Sequence, residues 1–344
     1  MALPIPYEVK PNTIYAWDAN TLTATMKAGG VRVHTAVTSP PYYGLRDYGA
    51  DGQIGLEQTP DEYVRALVTV FRGVRDILRD DGTLWINIGD TYASGEVGRH
   101  DSIQGREIDG KRVTSKAKQR QQQKVTTLLP PKSRMMIPAR LALALQADGW
   151  ILRDEIVWHK PAPMPEPVQD RTVKAHEMIY MFSKSPRYYF DADAIAEPAL
   201  NAGEIVVLGD KSFSKGQAAG AGIAPTGNGK ADTYTVKPTR NKRSVWTVNT
   251  EPSSIAHFAM FPTKLIEPMI LAGCPRGGVV LDMFMGAGTT AYVARMLGRN
   301  YIGGELNGGN VKIARDRLRM PFERRQVKVN NDVSDLPMFA HVGL

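Results

Sequence analysis

Two apolar segments of this chain are each followed by a turn sequence through which neither a strand nor a helix can extend. Residues 31–37 precede Thr38-Ser39-Pro40-Pro41-Tyr42, and residues 279–284 precede Gly286-Ala287-Gly288. Consecutive prolines fix two φ angles and remove two amide donors, whereas glycine admits backbone conformations that are closed to other residues. Each apolar segment is therefore expected to be a strand that ends abruptly in a shaped turn.

Strand-like and helix-like segments alternate along the rest of the chain. Thr59 is suited to cap a helix whose first residue is Pro60. Apolar residues then recur at helical spacing as far as Leu78. The helix is expected to end at Asp81-Gly82. Further helices are expected over residues 137–145, 262–272, 289–297 and 311–318, and strands over residues 83–88, 150–158, 177–182 and 301–306. This alternation predicts an α/β fold with a largely parallel sheet.

Two long stretches break the alternation. Residues 94–127 are polar and basic, which is typical either of a solvated loop or of an arm that orders on a polyanion. Residues 191–243 are rich in Gly, Ala, Ser and Lys and end in a basic run. The chain therefore divides into a first α/β half (residues 1–190, with the basic loop), an irregular insertion (191–243), a second α/β half (244–320) and a tail (321–344).

The net charge says more about the binding partner of this chain than about its fold. The 344 residues carry a formal charge of +8, which favours a polyanion because Lys and Arg contacts to phosphates supply most non-specific nucleic-acid affinity. Cys274 is the single cysteine, so no intrachain disulfide can form, and the histidines lack the spacing of a metal site. The N-terminus has no signal-like apolar run, and we expect a cytoplasmic protein without a structural metal.

The Ser39-Pro40-Pro41-Tyr42 turn and the later Asp282-Met283-Phe284-Met285-Gly286 segment resemble those of the DNA amino-methyltransferases. These enzymes move a methyl group from S-adenosylmethionine to an exocyclic base nitrogen. The order of the two segments is similar to that of the permuted beta class. The resemblance implies a Rossmann-like methyltransferase fold with a mostly parallel seven-stranded sheet and an irregular target-recognition insertion.

A cofactor site is expected around the second turn. Gly286 and Gly288 would let a ligand approach the amides that open the following helix, and Glu305, one strand later, could accept both hydroxyl hydrogens of a ribose. The resemblance implies that the S-adenosylmethionine site also includes Asp18, Thr38, Phe261, Lys264, Asp282, Phe284, Thr289 and Thr290. Asp18 would lie near the adenine, and Lys264 near the methionine carboxylate.

The first turn has the groups that methylation of an exocyclic amine requires. The Ser39 hydroxyl and the Pro40 carbonyl can accept hydrogen bonds from the amine, Pro41 helps to fix their direction, and Tyr42 offers a face on which a base can stack. A base inside a duplex is out of reach, so the target must be flipped out. Within the family that these segments resemble, serine in this turn is more typical of enzymes that methylate N4 of cytosine. The resemblance therefore favours N4 of cytosine as the target, with N6 of adenine as the alternative.

Double-stranded DNA is the expected partner, and the basic residues of the two irregular stretches are the candidate contacts: Arg112, Lys116, Arg120, Lys237, Arg240, Lys242 and Arg243. The resemblance leaves open a homodimer and a separate restriction endonuclease as further partners. Three rival functions are also open: a methyltransferase of RNA or of protein glutamine, a nucleotide-dependent oxidoreductase, and an inactive DNA-binding module.

Overall fold

The computed structural model describes residues 8–45, 50–93, 107–108, 111–112, 129–207, 223–225, 233–251 and 261–319. Its main sheet has eight strands: β1 (Thr13–Tyr15), β2 (Val33–Thr38), β3 (Leu78–Ile88), β4 (Ile151–His159), β5 (His176–Ser183), β6 (Val245–Thr247), β7 (Val279–Asp282) and β8 (Asn300–Gly304). The helices are α1 (Ala19–Ala28), α2 (Pro60–Ile77), α3 (Ile137–Ala147), α4 (Thr263–Gly273), α5 (Thr289–Met296) and α6 (Gly308–Arg319).

The strands lie in the order β1-β8-β7-β2-β3-β5-β4-β6. Strand β5 is antiparallel to both of its neighbours, and the other pairs in this sheet are parallel. The predicted mostly parallel α/β fold is therefore confirmed, although the sheet has eight strands instead of seven. The additional edge strand, β6, is only three residues long, which is too short for its alternation to be recognised in the sequence.

The chain leaves the two central strands in opposite directions. From β2 it passes through α2 to β3 on one side, and from β7 through α5 to β8 on the other. The carboxyl ends of β2 and β7 thus form the crevice at which open α/β sheets bind their ligands. Both turns that the sequence singles out lie at these two strand ends.

Two layers of helices cover the sheet. Helices α1, α2 and α3 pack on one face, with Leu22, Phe71 and Leu145 fully buried. Helices α4, α5 and α6 cover the other face, where Leu265 and Ala294 are equally inaccessible. Both faces of the sheet are thereby removed from water, as a parallel sheet requires.

Helix α2 begins as predicted but ends earlier. The Thr59 hydroxyl accepts from the Glu62 amide while the Glu62 carboxylate accepts from the Thr59 amide, which closes a capping box. The helix ends at Ile77, so the predicted end at Asp81-Gly82 was wrong. Leu78 already has extended backbone angles and pairs with Val33 of β2, which shows that strand pairing prevails over the helical spacing of Leu78.

The stretches predicted to be irregular contain short antiparallel strands. Residues 205–207, 223–225 and 233–236 form a three-stranded sheet, residues 197–198 pair with 239–240, and residues 107–108 pair with 111–112. Lys116, Arg120 and the tail 321–344 lie outside the described residues. Within the described part of the chain, no helix is long and apolar enough to cross a membrane.

Replacing the capping threonine tests the start of α2. Thr59→Ala should lower the free energy of unfolding by about 1 kcal/mol, because the Glu62 amide loses its acceptor. Urea denaturation measures the difference. Thr69→Ala is the matched control, since Thr69 is exposed in the middle of the same helix, where alanine is the better helix former. Equal stabilities for the two variants would contradict the capping role.

Candidate active site

A pocket of about 500 Å³ opens at the carboxyl ends of β2, β7 and β8. Ser39, Pro40, Pro41 and Tyr42 from the first turn contribute to one part of its wall. The second turn contributes residues 283–287 to another part. The structure thus brings together two segments separated by more than half of the chain.

A buried carboxylate joins the two turns. The Thr38 hydroxyl, at the end of β2, donates to Oδ1 of Asp282 at 2.6 Å, and the Thr290 hydroxyl of α5 donates to Oδ2 at the same distance. The amide of Phe284 also donates to Oδ1, at 3.0 Å. Asp282 is 1% exposed and does not line the pocket. Its part in the predicted site is therefore to hold Thr38, Phe284 and α5 together.

Burial changes the titration of this carboxylate. Loss of solvent raises the pKa of Asp282 from its ordinary value of 3.8 to about 6, against the lowering effect of hydrogen bonds from Thr290, Thr38 and the Phe284 amide. The negative charge of Glu305 adds to the increase. Near neutral pH the carboxylate is ionised in the folded protein, and its three donors keep it in place.

Glu305 lies at the pocket wall beside the glycine turn. Its Oε2 accepts from the amide of Gly286 at 2.8 Å and its Oε1 from the amide of Asn307 at 2.9 Å. These contacts fix the carboxylate plane, and a carboxylate oxygen can accept more than one hydrogen bond. The geometry is thus compatible with the predicted acceptance of two ribose hydroxyls, since Glu305, Gly286 and Phe284 line one pocket.

The second glycine of the turn has a packing role. Gly288 has a φ of +81°, and a Cβ on it would lie 2.9 Å from the Cβ of Ala314 on α6. It lies outside the pocket lining, so the prediction that a ligand approaches its backbone is not supported by its position. Thr289 lines the pocket and accepts from Arg317 at 3.0 Å, whereas Thr290 is fully buried.

The other predicted cofactor residues divide into those at the pocket and one outside it. Asp18 lines the pocket and also caps α1, because its Oδ1 accepts from the amides of Asn20 and Thr21. Phe261 lines the pocket as well. Lys264 is exposed and outside the lining. The reason is the geometry of α4. Leu265, the residue after Lys264, faces the core, and Lys264 therefore lies on the solvent side of the helix.

Two contacts hold the turn formed by residues 39–42 in place. The Tyr63 hydroxyl of α2 donates to the Pro41 carbonyl at 2.7 Å. The Tyr42 ring lies so close to the backbone of Gly89 that a Cβ there would be 2.4 Å from the ring. Tyr42 therefore has a fixed orientation. Burial, together with the neighbouring charge of Glu177, holds the pKa of Tyr42 well above its ordinary value, so its hydroxyl stays protonated.

Sequence reasoning missed a polar cluster around the Tyr42 hydroxyl. This hydroxyl donates to Glu177 at 2.6 Å, Asn87 donates to the same carboxylate oxygen at 3.2 Å, and Lys160 donates to the other oxygen at 2.5 Å. The Lys160 ammonium also lies 4.2 Å from the centre of the Trp158 ring. All of these side chains line the pocket. A carboxylate that opens an apolar strand was the signal that could have drawn attention to Glu177.

Two of the predicted DNA contacts pair with an internal carboxylate. Arg240 and Arg243 both pair with Glu197, at 3.0 Å and 2.5 Å, and so hold the base of the insertion together. Lys242 lies over the Trp246 ring, and Lys237 is exposed. For Arg112 only the backbone is described. Among the described residues, no group of three His, Cys, Asp or Glu side chains could hold a metal ion.

The raised pKa of the buried Asp282 carboxylate predicts that the stability of the protein depends on pH. Because the folded pKa lies above the ordinary value, the protonated form is favoured by folding, and this contribution is lost as pH rises. Relative to Asp282→Asn, the wild type should lose about 2 kcal/mol of unfolding free energy between about pH 4 and about pH 7. Urea titrations of both proteins across this range measure the difference. Parallel pH profiles would contradict the raised pKa.

Known proteins resemble this chain over most of its length. The DNA methylase family matches residues 33–316. The type II methyltransferase M.XycI of Xanthomonas campestris pv. cyanopsidis is 42% identical over 316 residues, which cover 92% of this chain and 90% of the relative. The type II methyltransferase M.Cfr9I of Citrobacter freundii is 41% identical over 314 residues, which cover 91% and 90%.

Solved structures share the fold. The cytosine-N4-specific PvuII DNA methyltransferase superposes with a TM-score of 0.57 at 17% identity, covering 92% of this chain and 89% of its own. M1.HpyAVI gives a TM-score of 0.51 at 17% identity, covering 90% and 99%. The match to the family over most of the sequence, and the identity to the type II enzymes, show that this chain belongs to the DNA methylase family of N6 and N4 amino-methyltransferases.

Proposed function

We propose that the pocket binds S-adenosylmethionine beside a flipped base and that the enzyme methylates N4 of cytosine. The observation that carries this proposal is the pair of hydrogen bonds that Asp282 accepts from Thr38 and Thr290. These bonds hold the Ser39 turn and the Gly286 turn at the wall of one pocket. A transfer between two bound groups requires such a fixed juxtaposition, because holding the reacting atoms in line supplies a large part of the acceleration.

The cofactor half of the pocket has groups suited to each part of S-adenosylmethionine. Glu305 would accept the ribose hydroxyls, Phe284 and Phe261 would contact the adenosine, and Thr289 at the start of α5 would donate to the methionine carboxylate. Asp18 would bound the adenine end. When bound, the cofactor supplies an electrophilic methyl group.

The catalytic half would hold the base and orient its amine. The Ser39 hydroxyl and the Pro40 carbonyl would accept hydrogen bonds from the amine, which draws the nitrogen lone pair out of conjugation with the ring. Tyr42, which lines this part of the pocket, would offer a ring face to the base. The nitrogen would then attack the methyl carbon as the bond from that carbon to sulfur breaks, and the methylated amine would release a proton to water. No covalent intermediate with the protein would form.

Ser39 favours cytosine over adenine, because serine in this turn is more typical of N4-cytosine enzymes. Adenine N6 is the second candidate, since both amines present two hydrogens and need similar acceptors. Either base must leave the duplex to reach the pocket. We further propose that the DNA backbone is contacted by Lys237, Lys242, Arg112, Lys116 and Arg120. A separate restriction endonuclease would be the partner of this methyltransferase, as the type II relatives suggest.

Mass spectrometry of nucleosides tests the base assignment. Methylation-free plasmid DNA is incubated with the protein and S-adenosylmethionine, and N4-methylcytosine is the expected product. Ser39→Ala should lower the rate roughly 10²-fold or more, because one acceptor for the amine is lost. N6-methyladenine would overturn the base but keep the site. A full rate in Ser39→Ala would contradict the assigned catalytic turn.

Gly89 gives an independent test of the orientation of Tyr42. Gly89→Ala places a methyl group 2.4 Å from an atom of the Tyr42 ring, so the ring must shift from its present position. We expect the methylation rate to fall roughly 10²-fold, as for other displacements of about 1 Å in a catalytic group. Gly29→Ala is the control, because a Cβ there meets only ordinary contacts at 3.5 Å or more. An unchanged rate in Gly89→Ala would rule out a fixed Tyr42 as a requirement.

A further inference from the structure

The polar side chains in the catalytic half of the pocket follow the order of the strands. Strand β7 ends at the glycine turn, and the neighbouring β2 ends at the Ser39 turn. Beyond β2 lie β3 with Asn87 near its end, β5 with Glu177 near its start, and β4, which Lys160 follows directly. These side chains all line the pocket. Because the cofactor half takes up the β7 side, the space left for the ring of a base faces this polar wall.

The Lys160 ammonium is held at this wall by two contacts. It donates to Oε1 of Glu177 at 2.5 Å, and it lies 4.2 Å from the centre of the Trp158 ring. The Trp158 indole is itself fixed, because its N–H donates to the Val248 carbonyl at 2.8 Å. The side chains of Lys160 and Glu177 are only 18% and 15% exposed. A long and usually flexible side chain thus presents its charge at a defined place in the pocket.

Lys160 is the member of this cluster that keeps hydrogens for a ligand. The amide nitrogen of Asn87 has two hydrogens and two acceptors, Oε2 of Glu177 at 3.2 Å and the Met178 carbonyl at 3.3 Å. The single hydroxyl hydrogen of Tyr42 also has two acceptors, Oε2 of Glu177 at 2.6 Å and Oδ1 of Asn87 at 3.3 Å, and either one occupies it. An ammonium has three hydrogens, and among the described residues only Oε1 of Glu177 accepts one from Lys160. Lys160 can therefore bind a hydrogen-bond acceptor in the pocket.

We propose that Lys160 donates a hydrogen bond to the ring nitrogen next to the exocyclic amine of the flipped base. Enzymes that act on flipped bases read them by hydrogen bonds to the Watson–Crick edge. This nitrogen, N3 in cytosine and N1 in adenine, carries no hydrogen and can accept. The corresponding nitrogen of thymine or guanine carries a hydrogen, which the ammonium would repel. Lys160 is thereby a specificity-determining residue that admits amino bases and rejects keto bases.

The same bond orients the base within the pocket. The amine is attached to the carbon next to this ring nitrogen, so a nitrogen held by Lys160 directs the amine toward the Ser39 turn. A cytosine turned over would present its C5–H to the ammonium and lose the bond. Glu177 supports this orientation, because it supplies the negative charge that a partly buried ammonium needs.

The inference rests on the proposed function of the Ser39 turn, but it does not depend on whether cytosine or adenine is methylated. The two can fail separately. A full rate in Ser39→Ala would remove the proposed turn. An inactive Ser39→Ala, beside a Lys160→Met variant that is as sensitive to the ring nitrogen as the wild type, would remove the role of Lys160 alone.

The test removes the lysine and the ring nitrogen separately and together. Once mass spectrometry and mapping have identified the methylated position, duplexes are made with either the natural base or its deaza analogue at that position. In these analogues, 3-deazacytosine and 1-deazaadenine, a C–H group replaces the ring nitrogen. The analogue should lower kcat/KM of the wild type by a factor roughly 10-fold to 100-fold larger than that for Lys160→Met, as loss of a hydrogen bond to a charged group does. The comparison cancels the altered pairing and reactivity of the analogue, which are the same for both proteins.

Lys184 provides the matched control. Its ammonium pairs with Asp80 at 2.9 Å beyond the opposite end of β5, and it does not line the pocket. Lys184→Met should therefore respond to the analogue as the wild type does. The double variant Lys160→Met/Glu177→Gln removes both charges of the pair, so it serves as the test if Lys160→Met alone does not fold. An analogue effect of the same size in the wild type and in these Lys160 variants would overturn the proposal.

Discussion

The hydrogen bonds that Asp282 accepts from Thr38 and Thr290 are the contacts on which the site depends. They connect the strand end that carries Ser39 to the helix that follows the glycine turn. A buried carboxylate without partners would be costly, so both threonine hydroxyls must stay in place for the ion to be tolerated. The relative position of the two turns is thereby fixed by a local electrostatic requirement, although the turns are far apart in the chain.

Whatever depends on neighbouring residues could be predicted from the sequence. The Thr59 cap, the strands that precede the two turns and the parallel sheet follow from spacing and turn chemistry, and the structure contains each of them. What depends on strands meeting in space could not be predicted. Glu177 and Lys160 are joined only because β5 pairs with β4, and no local pattern marks that contact.

The predicted site residues that lie outside the pocket lining, or that pair with an internal carboxylate, have a common physical cause. Lys264 and Gly288 occur in the expected segments, but the sequence does not say which side of a helix faces the pocket. Arg240 and Arg243 are predicted DNA contacts, yet both pair with the half-buried Glu197. A count of charged residues in the sequence includes those that are paired with a carboxylate in the folded protein. A basic run therefore overestimates the positive charge that is available to contact DNA.

The reversed direction of β5 explains how one pocket edge can carry both halves of the chemistry. Parallel strands present their carboxyl ends to the pocket, and these ends supply Thr38 and Asp282. Because β5 runs the other way, its amino end arrives at the same edge, between Asn87 of β3 and the end of β4 that precedes Lys160. A parallel strand at this position would bring Ser183 to the edge in place of Glu177. The ion pair, and with it the hydrogen bond that orients Tyr42, is therefore a consequence of sheet topology.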